Sequence, residues 1–372
     1  MEYICENCGR VYPAHTLEYR CACGGLFSLR FPAEPLSFSK IKAGTSYSMW
    51  RYADAMPLHF DDPAVQAVTM GEGFTPLIPL APDNPKLLAK CDYYMPTLSF
   101  KDRGAAVLVA FAKKLGVQTL VCDSSGNAGT AIAAYAARAK IMCECFVPDR
   151  TSDKKIKQIS AHGANVRPIA GTREDTANAA HTYVEKTQAF YASHVFNPVF
   201  YEGTKTYFFE VFEQMGYAMP DGFVIPVGNG TLLLGAIRAL TQLKEWGYIE
   251  QLPAIYAVQA QNCAPIWNAY RQGRQTVSAC QSRETLAEGI AIAAPARGKD
   301  ILQAIRATGG DVIAVDEEDI LCARKKMAAL GLYVEITSAA NYAGYLKYCL
   351  RDPGFAGKTI VLPLCGAGIK SN

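Results

Sequence analysis

From about residue 100 onwards, amphipathic helical stretches alternate with short apolar runs, and this alternation constrains the fold more than any other feature of the chain. Helices of about ten residues or more between apolar strands are typical of crossover connections, which build parallel sheets. The sequence therefore predicts an α/β protein with two parallel sheets. The predicted elements are the helix Gly104–Leu115, the strand Gln118–Cys122, the helix Ala128–Ala139, the strand Ile141–Val147, the helix Lys154–Ala161, the strand Asn165–Ile169, the helix Asp175–Thr187, a strand near Phe190, the helix Thr204–Met215, the strand Gly222–Pro226, a helix after Gly230, the strand Ala254–Gln259 and the strand Lys358–Pro363.

The composition narrows the function classes. Of 372 residues, 50% are hydrophobic and 19% are charged, with a formal charge of +3, so we expect a globular protein whose partners are neither nucleic acid nor a membrane. No apolar run approaches the roughly 20 residues of a membrane-spanning helix, and the start MEYICENCGR lacks a signal-peptide pattern. The 13 cysteines are an odd number and are mostly isolated in apolar stretches. We therefore expect a cytoplasmic protein with reduced thiols.

The first thirty residues carry two cysteine pairs. Cys5-x-x-Cys8 is followed after twelve residues by Cys21-x-Cys23 and a pair of glycines. Thiolates at this separation can converge on one tetrahedral Zn²⁺, and the glycines allow tight turns beside them. The second pair is one residue shorter than usual, so unligated thiols remain the alternative. A zinc ion with four protein ligands has no open coordination position, and the predicted zinc ribbon is therefore structural.

Four further segments, each at a strand-to-helix turn or a strand end, carry the residues from which chemistry is expected, because open parallel sheets bind ligands at such places. The first is Ser99-Phe100-Lys101-Asp102-Arg103-Gly104, which opens a helix. The helix N-terminus and the neighbouring arginine both favour the neutral, nucleophilic form of the Lys101 amine. A surface lysine is the alternative interpretation.

The other three segments are two loops and a strand end. In the loop from Asp123 to Thr130, two hydroxyls, an amide and backbone N–H groups at a helix start can seat an anion. In Pro226-Val227-Gly228-Asn229-Gly230-Thr231, the glycines let backbone approach a phosphate and the threonine adds a hydroxyl. The end segment begins Leu364-Cys365-Gly366, and its thiol can face a heteroaromatic nitrogen. Each segment alone also fits an ordinary turn, an N-cap or a buried cysteine.

Together and in this order, the four segments resemble the fold-type-II, or tryptophan-synthase-β, family of pyridoxal-phosphate enzymes, and within it the threonine synthases. The resemblance extends from Gly71-Glu72-Gly73-Phe74-Thr75-Pro76-Leu77 to Lys370, about three hundred residues. It implies pyridoxal 5'-phosphate as cofactor, a small amino acid as substrate and a homodimer. Paired N-terminal cysteines also occur in threonine-synthase-like proteins.

The resemblance assigns roles to residues of this chain. Lys101 would form the Schiff base with the cofactor and later shuttle the α-proton, and Asn127 would bind the ring hydroxyl of the cofactor. Cys365 would lie beside the pyridine nitrogen, with Glu335 near the same edge of the ring. The implied cofactor-phosphate loop consists of Gly228, Asn229, Gly230 and Thr231, and the implied substrate loop consists of Ser124, Ser125, Gly126, Asn127 and Ala128.

Three departures from the family pattern bear on the reaction. A thiol at Cys365, where the family usually has serine or threonine, is a neutral partner that leaves the pyridine nitrogen mostly unprotonated and favours elimination or replacement over transamination.

Val195 and Phe200 occupy the places of a serine and an arginine that hold the phosphate of O-phosphohomoserine in threonine synthases, and Ala128 stands where threonine is frequent. Because an apolar pair cannot stabilise a buried dianion, we expect a smaller or less charged substrate such as serine, threonine or a substituted β-amino acid. The side chains that could compensate are His194, Arg150 and Arg173.

The predicted domains are a zinc-ribbon segment at residues 1–32, a large cofactor-binding domain at 33–105 and 203–372, and a small mobile α/β domain at 106–202. The small domain is expected to close over the substrate and exclude water. Lyase, dehydratase and cysteate-synthase-like replacement activities all remain open, as does threonine synthase proper. Alternatives of other classes are a catalytically silent binding or regulatory protein with this fold and a nucleotide-dependent enzyme that uses the loop at 228–231.

Overall fold

The computed structural model describes residues 1–370, in which strands and helices alternate. The strands are β1 (Glu2–Cys5), β2 (Val11–Pro13), β3 (Phe27–Arg30), β4 (Leu77–Ala81), β5 (Asn84–Lys90), β6 (Thr119–Cys122), β7 (Met142–Pro148), β8 (Asn165–Ile169), β9 (Phe190–Tyr191), β10 (Gly222–Pro226), β11 (Ala254–Ala260), β12 (Asp311–Val315) and β13 (Ile360–Pro363). The α-helices are α1 (Phe38–Ala43), α2 (Pro63–Val68), α3 (Lys101–Lys114), α4 (Asn127–Ala139), α5 (Asp153–Ser160), α6 (Arg173–Thr187), α7 (Val199–Thr204), α8 (Thr206–Gln214), α9 (Thr231–Glu245), α10 (Pro265–Arg271), α11 (Gly298–Ala307), α12 (Glu317–Ala329) and α13 (Ile336–Arg351).

The chain forms two compact units. Unit 1 contains Met1–Gly73 and Lys101–Thr206, and unit 2 contains Phe74–Phe100 and the chain from Tyr207 onwards. The domain boundaries expected from the sequence remain a prediction, because units defined by internal contacts need not coincide with parts that move together.

Unit 1 contains a four-stranded parallel sheet in the order β8-β7-β6-β9 and the separate antiparallel sheet β2-β1-β3 of the N-terminus. Helix α4 is rich in alanine, and its small side chains allow a close approach to the sheet. At Gly129 a Cβ atom would lie 2.9 Å from the backbone carbon of Ser124 and closer still to its oxygen. This glycine therefore fixes how the loop after β6 meets the helix that follows it.

Unit 2 contains a six-stranded sheet in the order β12-β11-β10-β13-β5-β4, in which only the β4–β5 pair is antiparallel. The central strands β10, β11 and β13 are nearly continuous buried apolar runs, as expected for parallel strands covered on both faces. A buried ion pair lies near the first residues of this unit. Lys90 Nζ is 2.7 Å from Oε2 of Glu210. The other carboxylate oxygen of Glu210, Oε1, accepts the N–H of Phe74 at 2.8 Å.

The predicted α/β class with parallel sheets is confirmed. The helix expected as Thr204–Met215 corresponds to α8, and a break at Lys205 separates it from α7, which ends at Thr204. The hydroxyl of Thr206 donates to the carbonyl of Gly203 at 2.7 Å, and that of Thr204 donates to Tyr201 at 3.2 Å. Threonine hydroxyls that bond to nearby carbonyls compete with the helix ladder, which accounts for the break. Among residues 1–370, no helix has the length and apolar character needed to cross a bilayer.

Candidate active site

Lys101 is the first residue of α3 and is half-buried. Its Nζ lies 5.8 Å from the ring centre of Phe200, which is fully buried. The same ring fills the space beside Gly104, where a Cβ atom would lie 2.5 Å from Cζ of the phenylalanine and closer still to two other ring carbons. The amine therefore has an aromatic neighbour whose position depends on a glycine one helical turn away.

The predicted substrate loop follows β6 and leads into α4, with Gly126 as the N-cap residue and no side-chain cap. Ser124 is buried, and its Oγ accepts the N–H of Gly126 at 3.4 Å. Ser125 and Asn127 are half-buried, whereas Ala128 is buried. A Cβ atom at Gly126 would meet nothing within 4 Å, so space adjoins the backbone at this helix start. Helix N-termini with such space bind anions such as a carboxylate.

A turn from Ser193 to Asn197 connects β9 with α7. Ser193 Oγ accepts the N–H groups of Val195 and Phe196, each at 3.3 Å, and the Asn197 N–H donates to the Ser193 carbonyl at 3.0 Å. His194 is buried in this turn, and its ring centre lies 5.9 Å from that of Phe200. Burial lowers the pKa of His194 well below its usual range, and the charges of Lys101 and Arg173 lower it further. The imidazole is therefore neutral near pH 7.

The loop at Gly228–Thr231 lies between β10 and α9 in unit 2. A Cβ atom at Gly228 would lie 3.0 Å from Cα of Ile290, and one at Gly230 would lie 2.5 Å from Cδ1 of Ile301. Gly230 also has φ of +73° as the residue before α9. Position 230 favours glycine because its backbone is left-handed, and at position 228 a side chain would be in tight contact with the segment at 289–292. Thr231 is buried at the helix start, and Asn229 is half-buried.

Glu335 and Cys365 come together in unit 2 at the end of β13. The N–H of Glu335 donates to the Gly366 carbonyl at 2.9 Å, and a Cβ atom at Gly366 would lie 2.6 Å from a carboxylate oxygen of Glu335. The buried Cys365 donates its N–H to Ser338 Oγ at 2.8 Å, and its carbonyl accepts the N–H of Phe100 at 2.9 Å. The residue that precedes Lys101 is thus bonded to the predicted neighbour of the pyridine nitrogen.

The predicted residues are divided between the two compact units. Lys101 and the loop at 124–128 belong to unit 1, whereas the loop at 228–231, Glu335 and Cys365 belong to unit 2. Arg150 and Arg173, two of the cations that could compensate for the missing phosphate-binding arginine, are exposed. The charge of Arg173 nevertheless lowers the pKa of His194.

Two neighbours of the site were missed by sequence reasoning. The segment Glu288–Ile290 lies against Gly228 and, through Gly289, against Thr337 near the start of α13. Ser338 anchors Cys365. The only local signal for the segment was the glycine in Glu288-Gly289-Ile290, and nothing local distinguished Ser338.

The four N-terminal cysteines form one cluster in unit 1, with all four sulfur atoms within 4.8 Å of one another. The Sγ separations are 3.4 Å for Cys5 and Cys23, 3.6 Å for Cys8 and Cys21, and 3.5 Å for Cys23 and Cys8. A tetrahedral zinc site with bonds of 2.3 Å places its sulfurs about 3.8 Å apart. A Cβ atom at Gly25 would lie 2.6 Å from Cys5 Sγ, so this glycine keeps the cluster compact. The set therefore fits a structural zinc ion.

Comparisons with known proteins identify the family of the chain. A family model described as "Pyridoxal-phosphate dependent enzyme" matches residues 68–366, and the chain belongs to this family. Within the family it is threonine synthase-like. A threonine synthase of Methanosarcina acetivorans is 34% identical over 363 residues, covering 95% of this chain and 88% of that protein. A threonine synthase of Methanocaldococcus jannaschii is 31% identical over 379 residues, covering 98% and 92%.

Solved structures show the same fold. Maize serine racemase matches with a TM-score of 0.69 at 21% identity, covering 79% of this chain and 88% of that chain. The processed form of threonine deaminase isoform 2 from Solanum lycopersicum matches with a TM-score of 0.69 at 21% identity, covering 92% and 88%. These likenesses confirm the predicted fold-type-II architecture.

Proposed function

We propose that this protein is a pyridoxal-phosphate dependent lyase or synthase that removes the α-proton of a small amino acid and then eliminates or replaces a β or γ substituent. The environment of Lys101 carries this conclusion. Its amine is half-buried at a helix start, 5.8 Å from the buried Phe200 ring and within electrostatic reach of the buried His194. An amine at such a position can form a Schiff base with an aldehyde cofactor.

The residues fit the cofactor. The turn at Gly228–Thr231 has backbone positions that favour glycine, at the N-terminus of the 15-residue helix α9. Such a turn presents N–H groups to a phosphate without interference from side chains. When bound, the cofactor supplies an electron sink for the α-carbon of the substrate.

Each remaining residue has a role in this proposal. Lys101 Nζ would hold the cofactor and would also be the base for the α-proton of the substrate. Asn127 would donate to the ring hydroxyl, and the loop at 124–128 would bind the substrate carboxylate. Cys365 and Glu335 would be the partners of the pyridine nitrogen. A neutral thiol in that role would keep the nitrogen mostly unprotonated, which favours elimination or replacement over transamination.

Phe200, beside the Lys101 amine, and Val195, in the turn that also carries His194, support a substrate with little negative charge at its far end. Phe200 is fully buried and Val195 is 7% exposed. Neither side chain can donate to a phosphate, and leaving a dianion without donors carries a penalty of several kcal/mol. His194 stays neutral near pH 7 because burial lowers its pKa. Serine, threonine or an O- or N-substituted β-amino acid fits these surroundings better than O-phosphohomoserine.

Threonine synthase proper is the second candidate. Its support is the 34% identity to the Methanosarcina acetivorans threonine synthase over 95% of this chain. The charge of Arg173 near His194 adds to this support, since an arginine is the side chain best suited to a phosphate.

The proposal also includes a structural zinc ion held by the four N-terminal cysteines and a mobile small domain at residues 106–202. Zinc binding is tested by metal analysis of purified protein. Four thiolates should hold one ion per chain, and Cys8→Ser should release it. Closure of the small domain is tested by limited proteolysis with and without amino acid, since a closed domain protects its loops from cleavage.

The reaction is tested by titrating purified protein with a panel of amino acids while recording the visible band of the cofactor. A band in the wild type that is absent from Lys101→Ala would establish the lysine, and a serine-type substrate should change the band and release product. Efficient formation of threonine from O-phosphohomoserine would favour the second candidate instead. Equilibrium dialysis with ATP and NAD serves as the control for a nucleotide enzyme.

A further inference from the structure

The N-terminal ribbon, residues 1–32, packs in unit 1 against the turn from Ser193 to Asn197. Tyr19, in the ribbon loop that leads to Cys21, stacks on His181 of α6 with ring centres 4.7 Å apart and planes at 16°. The same ring meets Tyr191 at 5.2 Å and Phe196 at 5.8 Å, both edge-on. Offset and edge-to-face contacts of this kind stabilise a fixed ring geometry.

A second path joins the cysteine cluster to the same turn. The hydroxyl of Tyr12 donates to Cys21 Sγ at 3.3 Å, and its ring lies 4.9 Å from that of Phe27. Phe27 in turn stacks on Tyr3 with ring centres 5.5 Å apart. Tyr3 and Phe27 line one narrow cavity together with Phe196 and Asn197. The ribbon thus contacts the turn through rings that adjoin the cysteine cluster.

The opposite side of the turn carries the residues next to the amine. His194 and Lys101 both lie beside the Phe200 ring, at 5.9 Å and 5.8 Å from its centre. The carbonyl of Val195 accepts the hydroxyl of Tyr201, which ties the turn to α7. Any movement of Phe196 or Asn197 would therefore be transmitted through one to three peptide units to His194 and Val195.

A metal ion at the four cysteines would help the ribbon to hold this position. Segments shorter than about 40 residues bury little surface within themselves, so metal ligation adds to the order of their loops. The loop at residues 14–20 has little regular structure of its own and ends at Cys21. Metal binding therefore orders the segment that carries Tyr19.

We propose that the ribbon is a positioning element of the amino-acid site, which holds the turn at 193–197 through Tyr19 and the Tyr3–Phe27 pair so that His194 and Val195 face the substrate. This inference rests on the function proposed above. The ribbon contributes no group to the chemistry. It sets the conformation of the turn that contains His194 and Val195, and its loss weakens amino-acid binding far more than it slows turnover.

The test compares full-length, cofactor-loaded wild type with Tyr19→Ala, Tyr19→Phe and Tyr47→Ala. Tyr47 is 73% exposed and outside the ribbon, which makes it the matched control. Three quantities are measured: the metal content, the apparent dissociation constant for serine from the cofactor band, and hydrogen exchange of the amides at 193–199. In Tyr19→Ala we expect retained metal, about tenfold weaker serine binding and about tenfold faster exchange, with less than about twofold change in kcat.

Tyr19→Phe keeps the ring and should behave as wild type. Chelated wild type should reproduce Tyr19→Ala while its cofactor band in the absence of serine stays unchanged. Unchanged exchange or unchanged serine binding in Tyr19→Ala would overturn the inference. A rise in KM that is matched by an equal fall in kcat and by loss of the cofactor band would also overturn it, because that pattern indicates general unfolding. A wild type without any cofactor band would instead overturn the proposed function itself.

Discussion

Replacing Gly104 with alanine is expected to destabilise unit 1 by displacing the Phe200 ring. A Cβ atom at 104 would lie 2.5 Å from Cζ of the ring, at least about 1 Å inside the contact distance of carbon atoms. Phe200 is fully buried, so its ring cannot move without shifting its neighbours. Overpacking of this kind costs about 1–3 kcal/mol, and the better helix propensity of alanine returns up to about 1 kcal/mol. The expected net loss in the free energy of unfolding is about 1–2 kcal/mol.

Gly203 provides a graded comparison on the facing helix. A Cβ atom at 203 would lie 2.5 Å from the carbonyl carbon of Arg103 and closer still to its oxygen. This clash is with backbone, so α3 and α7 would have to separate, and Gly203→Ala should cost about 3 kcal/mol or more. Phe200→Leu creates space beside position 104 only. It should therefore rescue Gly104→Ala and leave Gly203→Ala unrescued.

The assay is urea unfolding of the single and double variants, followed by fluorescence and far-ultraviolet circular dichroism, with the cofactor band recorded in parallel. Gly357→Ala is the matched control, because a Cβ atom there meets nothing within 4 Å. A double-mutant cycle in which Phe200→Leu fails to restore at least about half of the Gly104→Ala loss would refute the reasoning. Equal rescue at both glycines would refute it as well.

Three further predictions concern buried polar groups. Lys90→Met should cost about 3–5 kcal/mol in urea unfolding because it leaves the fully buried Glu210 without its cation, whereas the double variant with Glu210→Leu should cost much less. Ser338→Ala should cost about 1–3 kcal/mol and weaken cofactor binding, measured by dialysis, because the buried Cys365 N–H loses its acceptor. The free energy of unfolding should fall as pH drops below about 6.5, by at most ~1.4 kcal/mol per pH unit for His194, since burial lowers its folded pKa and only the unfolded chain binds the proton. His194→Asn should reduce this slope in a pH series of urea titrations.

Each of these expectations has an outcome that contradicts it. Additive losses in the Lys90 and Glu210 cycle would show that the pair is not coupled. A Ser338→Ala variant with native stability would mean that another acceptor takes over the Cys365 N–H. The exposed His59 serves as control for the pH series, and a slope reduced equally by His59→Asn and His194→Asn would contradict the assignment to the buried imidazole.

Much of the α/β framework could be predicted from the sequence, because the crossover strands of both sheets are short apolar runs between helices of clear periodicity. The strands β8 and β10 have the predicted bounds. Strands β4 and β5 were not predicted, since each contains a proline that argues against a central strand. Pro79 is tolerated because β4 is the edge strand of its sheet. This position within the sheet is a tertiary property that local sequence does not encode.

The candidate site likewise combines short motifs of neighbouring residues with contacts between residues that are far apart in the sequence. The glycine turn at 228–231 and the helix start at Lys101 are encoded by neighbouring residues, so a motif can indicate them. The contacts of Phe200 with Gly104, of Ser338 with Cys365 and of Tyr19 with Phe196 join residues that are about 27 to 177 positions apart. Such contacts depend on the folded chain path, and their roles in the site remain proposals.

The burial of α3 has a consequence for how proteins of this kind could diversify. Eleven consecutive residues after Lys101, from Asp102 to Ala112, are buried, so almost any change in this helix disturbs the core of unit 1. The turns at 124–128 and 193–197 lie outside this helix and contain half-buried positions at 125–127 and 196–197. Substitutions in these turns are therefore expected to change substrate preference with less loss of stability than substitutions in α3, whether they arise by natural selection or in the laboratory. A chain built in this way can change these turns while the amine of Lys101 stays where it was.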